Sequence, residues 1–168
     1  MVGSIICGVD GSESAEAAAR VACGLSGKLG LRVMFVGVVE EGSSHEQVDA
    51  IAERLERLTS ATRDVDSSAQ WLVEVGHPAD RLVAAAADTN ASMIVVGSHG
   101  ARSSLLGSVS ADVSRRAPCP VVVVPPGAER GLNERRALRS DGNGDLHVGL
   151  GVSNAGGIVR FGLGSHRI

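Results

Sequence analysis

Three short clusters in this chain carry residue types that can hold an anion: Gly8-Val9-Asp10-Gly11-Ser12, Gly97-Ser98-His99-Gly100 and Gly107-Ser108. Glycines let backbone N–H groups approach phosphate oxygens, and a helix N-terminus adds unpaired donors and a favourable dipole. In that chemistry Gly97, Ser98 and Gly100 would line the approach, the Ser108 hydroxyl would add a polar contact, and Arg102 a charge-assisted one. Asp10, two residues beyond Gly8 at the other strand end, would accept from a ribose hydroxyl. The same residues also suit plain connections, because glycines permit tight strand-to-helix turns and Asp10-Gly11 is itself a turn signal. On residue types alone, both readings stand.

Other chemistries find less support. Lys28 is the only lysine, and it ends a predicted helix at Gly24-Leu25-Ser26-Gly27-Lys28 rather than following a strand. With no G-x-x-x-x-G-K-[S/T] run, a P-loop ATPase is excluded. No G-x-S-x-G elbow or Ser/His/Asp arrangement stands out, and no general base is visible to support rapid turnover. Cys7, Cys23 and Cys119 are odd in number and far apart, and the histidines lack ligand spacing, which argues against a disulfide framework or a zinc site. His99 reads as a solvated loop histidine ahead of a phosphate contact, and Cys119, between two prolines, as a small packed residue. A net charge of −3, with two Phe, one Trp and no Tyr, offers nucleic acid neither an electrostatic footprint nor a stacking platform.

Bringing the three clusters together needs a particular frame. At 168 residues, 43% hydrophobic but only 2% aromatic, the chain suits one domain cored by Val, Leu, Ile and Ala. Ile5–Val9 reads as a buried strand, and alanines 15, 18, 19 and 22 with Leu25 mark one face of a helix from Glu13 to about Leu29. Leu31–Val39 is the second strand. Ser44 and Gln47 form a capping box that opens a helix with Val48, Ile51, Leu55 and Leu58 on one side. Gln70–Val75 is the third strand, followed past Gly76-His77-Pro78 by a helix facing inward through Leu82, Val83, Ala86 and Ala87. Ser92–Gly97 is the fourth, and Leu106, Val109, Val113 and Ala117 give the last helical stripe before Pro118-Cys119-Pro120 and the fifth strand, Val121–Val124. Five strands with four intervening helices predict one doubly wound parallel α/β sheet, whose ligands sit beyond the carboxyl ends of the strands.

From Pro125 the pattern lapses. Ten of the 22 glycines lie between Gly127 and Ile168, with six arginines against four acidic residues, so the expectation is a binding domain over 1–126 and a flexible tail over 127–168. No apolar stretch reaches the ~18 residues of a spanning helix, and Met1–Asp10 lacks the features of a signal peptide, so the expected location is the cytoplasm.

Gly8-Val9-Asp10-Gly11-Ser12-Glu13, Val75-Gly76-His77-Pro78-Ala79, Ile94-Val95-Val96-Gly97-Ser98-His99-Gly100, Leu106-Gly107-Ser108-Val109-Ser110 and Arg116-Ala117-Pro118-Cys119-Pro120-Val121 resemble the universal stress protein family in order and spacing. The resemblance covers Ser4 to Pro125 and implies strand order 3-2-1-4-5, which sets Asp10 and Gly97 on either side of one crevice. It further implies ATP as ligand. Gly97 and Gly100 would run close to the phosphates, Gly107, Ser108 and Val109 would offer donors, Asp10 would face the ribose, and the Val38 backbone would pair with adenine. ATP-binding members carry G-x2-G-x9-G-[S/T]; here only six residues separate Gly100 from Gly107, so the covering loop is three residues short while both anchoring ends remain. Mg²⁺ would arrive with the nucleotide. The resemblance also implies a homodimer paired through Val121–Val124, an apolar edge otherwise open to water. Two other readings remain: a dimeric adaptor of this fold that binds no nucleotide, and an adenylylating enzyme, whose S-G-G-x-D-S loop the first cluster does not match.

Overall fold

In a computed structural model the described residues are 3–63, 68–99, 107–128 and the backbone of 161–162. The elements are β1 (Ser4–Val9), α1 (Glu13–Leu29), β2 (Arg32–Val39), α2 (His45–Thr62), β3 (Gln70–Val75), α3 (Pro78–Asp88), β4 (Met93–Gly97), α4 (Ser108–Arg116), β5 (Val121–Val124) and β6 (Phe161–Gly162). Strands β1 to β5 are all parallel in the order 3-2-1-4-5, and β6 adds two antiparallel residues outside β5. Gly100, Arg102 and Leu106 lie outside the described residues.

Alternation along β1 divides the core. Ile5, Cys7 and Val9 face α1 and α2, packing with Ala18, Ala22, Phe35 and Leu55, while Ile6 joins Leu82, Ile94 and Val113 beneath α3 and α4. Full burial of Phe35 or Ile94 contributes about 1.5–3 kcal/mol each. With few aromatics, close approach replaces bulk. Ala15, Ala17, Ala18, Ala19 and Ala22 are all buried on α1. On β2, a Cβ at Gly37 would meet Ile51 of α2 at 2.4 Å, so the missing side chain lets α2 settle onto the sheet.

Local chemistry sets the boundaries. Ser12 caps α1 at its start, and Gly30, at φ +66°, ends it with its N–H on Ser26 O. Both halves of the α2 capping box are made, Ser44 N–H to Gln47 Oε1 at 2.9 Å and Gln47 N–H to Ser44 Oγ at 3.3 Å. Pro78 occupies the first turn of α3, where its missing N–H costs nothing. No helix among the described residues is long and apolar enough to cross a membrane.

Candidate functional site at the parting of β1 and β4

The two central strands part at their carboxyl ends. Pairing of β1 with β4 runs from Ile5↔Met93 to Cys7↔Val95, while β1 continues to Val9 and β4 to Gly97. On the other side β1 pairs with β2 as far as Val9↔Gly37, and β2 pairs with β3 on to Val39↔Val75. Val39 O accepts from Gly76 N–H at 2.9 Å on the β3 side. By alternation Val38 turns its backbone groups toward β1, where that pairing ends.

Serines lock the β4 end onto α1. Ser14, 2% exposed, donates its hydroxyl to the His99 carbonyl and accepts the His99 N–H at 3.3 Å. Ser12 Oγ lies 3.2 Å from the same carbonyl and accepts the Ala15 N–H at 3.1 Å. Asp10 Oδ1 accepts the Ser12 N–H at 2.9 Å, so the Asp10-Gly11 turn is real, with Gly11 at φ +84°. The Arg54 guanidinium of α2 lies against Gly11, 2.0 Å from where a Cβ would stand. A side chain at position 11 would meet both a strained backbone and this cation.

The α4 end is joined to β4 directly. Ser98 N–H donates to Val124 O at 2.8 Å, and Ser98 O accepts the Gly107 N–H at 2.7 Å. The chain therefore departs after His99 and returns at Gly107 across a closed neck. Ser110 Oγ reinforces the neck, 2.9 Å from Gly107 O and 3.3 Å from Ser98 O. Ser98 Oγ meets His99 Nδ1 at 2.6 Å. Gly107 caps α4 without a side-chain bond, which leaves the Ser108 and Val109 N–H groups in the first turn without a side-chain acceptor from the cap.

Of the sequence-predicted residues, Asp10, Val38, Ser98, Gly107, Ser108 and Val109 stand around this parting, at the carboxyl end of the sheet. Gly8 and Gly97 do so too, but their missing side chains serve packing. A Cβ at Gly8 would meet Leu82 at 3.0 Å, and one at Gly97 would meet Ser14 Oγ at 2.5 Å and the Ala15 N at 2.8 Å. Gly107 likewise gives its N–H to Ser98 rather than to solvent. Sequence reasoning missed Ser14 and Arg54; the helical pattern marks both as ordinary helix positions, and only the crossover brings them here.

Burial pushes the Cys7 thiol far up, with a smaller contribution from Cys23, and burial also raises Cys119, so neither suits a thiolate role. Among the described residues no group of three or more His, Cys, Asp or Glu could hold a metal. A shallow depression beside Glu53, Glu56, Arg57 and Ser60 lies on α2, away from the strand ends.

Residues 1–125 match the universal stress protein family. A relative from Thermus aquaticus, a universal stress protein in a QAH/OAS sulfhydrylase 3′ region, is 32% identical over 136 residues, 74% of this chain and 99% of its own. The universal stress protein from Archaeoglobus fulgidus in complex with dAMP is 26% identical with a TM-score of 0.59, over 74% of this chain and 98% of its own. A universal stress protein in complex with cAMP shares the fold, at 24% identity and a TM-score of 0.63, over 74% of this chain and 98% of its own. With three quarters of its length matched by the family and five parallel strands in the family's order, this chain belongs to the universal stress proteins.

Proposed function

We propose that this chain binds ATP in the crevice between β1 and β4 and works as a nucleotide-dependent stress-response protein of the cytoplasm, its binding unit lying within 1–126. The observation that carries the reading is the start of α4. Its first turn lacks a side-chain cap and lies beside a closed neck, Gly107 N–H to Ser98 O, which fixes both ends of the short loop. Such a helix start favours phosphate oxygens. Asp10 would take the ribose, the Val38 backbone the adenine, and the Ser108 and Val109 N–H groups the phosphates. Gly100 and Arg102 would complete the phosphate side, and Mg²⁺ would enter with the nucleotide. The A. fulgidus relative in complex with dAMP supports an adenine nucleotide as the class of ligand. The role is binding; any hydrolysis would be slow.

One observation favours the nucleotide-free adaptor. Gly8 and Gly97 are already explained by Leu82 and by the backbone of α1, so these glycines do not require a ligand. The discriminating experiment purifies the protein from cells, denatures it and analyses the released small molecules, then adds ATP back to emptied protein. Released adenine nucleotide, or ATP bound on addition, supports the binding reading. Neither result leaves the adaptor.

Two copies paired through Val121–Val124, as the resemblance implies, would need β6 to leave Val121 and Val122.

A further inference from the structure

Arg54 stands apart from the other charged residues of α2. Its neighbours at helical spacing are Ala50, Ile51, Arg57 and Leu58, none of them acidic. Glu53, beside it in the chain, pairs with Arg57 at 3.8 Å instead. Among the described residues Arg54 makes no hydrogen bond or ion pair. It is nevertheless partly buried, whereas Glu53, Glu56 and Arg57 around it are exposed. An arginine without a partner ordinarily carries its head out into water. This one does not.

Its head goes to the turn after β1. The guanidinium fills the space that a Cβ at Gly11 would take, against a backbone at φ +84°. Gly37, which pairs with Val9, likewise leaves the room into which Ile51 of α2 settles. Absent side chains at 37 and 11 thus bring α2 and its cation up to the turn. The residue before Gly11 is Asp10, with an exposed side chain that takes the Ser12 N–H at 2.9 Å. Helices α1 and α2 share one face of the sheet and α3 and α4 the other. Arg54 therefore stands on the β2 side of the turn, with Asp10, and not with the donors at the start of α4.

An ionised carboxylate only accepts and a guanidinium only donates, whereas a hydroxyl does both. We propose that Arg54 donates to the oxygen of a ribose hydroxyl whose proton Asp10 accepts, which makes Arg54 a specificity residue for a ribonucleotide over its deoxy counterpart. The inference rests on the crevice being an adenine-nucleotide site, and deepens that reading on the sugar side. A site that matches both halves of a hydroxyl rejects the analogue lacking it, because its own polar groups then go unmatched.

The test titrates the emptied full chain with ATP, 2′-deoxy-ATP and 3′-deoxy-ATP, for the parent, Arg54→Met and Arg54→Lys. Methionine keeps an apolar stem and good helix propensity but removes the donors. The parent should prefer ATP over one of the deoxy analogues by about tenfold. In Arg54→Met the affinity for ATP should fall to that for the same analogue, whose own affinity stays unchanged and so reports an intact site. Arg54→Lys, which keeps the charge and a donor, should retain part of the preference. A parent that binds ATP without preferring it to either analogue would overturn the inference alone, as would an unchanged preference in Arg54→Met. Equal weakening toward all three nucleotides in both variants would assign Arg54 to support of the turn and overturn it too. A parent that binds no ATP removes the nucleotide reading and this inference together.

Discussion

Two helix N-termini stand at the crevice, and they are built in opposite ways. The start of α1 is sealed. Ser12 caps it, Glu13 and Glu16 lie in its first turn, and Ser14 grips the turn after β4. The start of α4 has a glycine cap with no side-chain bond and no acidic residue in its first turn, while Arg115 and Arg116 lie in its last. In α1 the helix dipole is answered by the protein's own carboxylates; in α4 neither the cap side chain nor an acidic residue of the first turn answers it. One helix start is architecture. The other is the candidate binding element, and Ser14 of the first bonds His99 at the end of the β4 segment.

That contrast breaks most severely at Gly97. Gly97→Val forces a side chain into the backbone of α1's first turn and should cost about 3 kcal/mol, read as a lower midpoint in urea unfolding. Lost nucleotide binding in this variant would report damaged packing, so position 97 is a poor probe of ligand contact. Ser14→Ala comes next. It strips the buried clip from the His99 carbonyl and N–H, at about 1–3 kcal/mol, and should speed amide exchange at His99. Ser12→Ala, the loss of a helix cap, should cost about 1 kcal/mol in the same assay. The smallest change in stability belongs to Ser108→Pro. Gly107 has ψ 146°, the extended conformation that a following proline demands, and proline suits the first helical position. Stability should stay within about 0.5 kcal/mol while one phosphate donor disappears.

How much of this was legible in the sequence follows the range of the contacts. Gln70–Val75 and Val121–Val124 read to the residue, and the helix starting at Glu13 with an end near Leu29 matches α1, because Gly76, Pro120 and Ser12 punctuate these elements locally. The Ser44–Gln47 box joins positions three apart and was equally plain. Order 3-2-1-4-5 was available only through the resemblance to a family. The Ser14–His99 clip joins positions 85 apart in the chain, and Arg54 reaches Gly11 because Gly37 lets α2 settle; neither has a local signature. Gly97 was legible as a glycine that mattered but not why, since its neighbour is the α1 backbone. The late glycine-rich stretch gave no strand signal, and β6 is defined by the edge it meets.

The central claim is that α4 opens toward a nucleotide phosphate where α1 does not. Its most direct test is calorimetric titration of emptied protein with ATP and with adenosine, for the parent chain and for Ser108→Pro. The account predicts one ATP site per chain, weakened about tenfold by the proline, about 1.4 kcal/mol, with adenosine affinity unchanged. No ATP binding to the parent chain, or equal ATP affinity in both proteins, would contradict it.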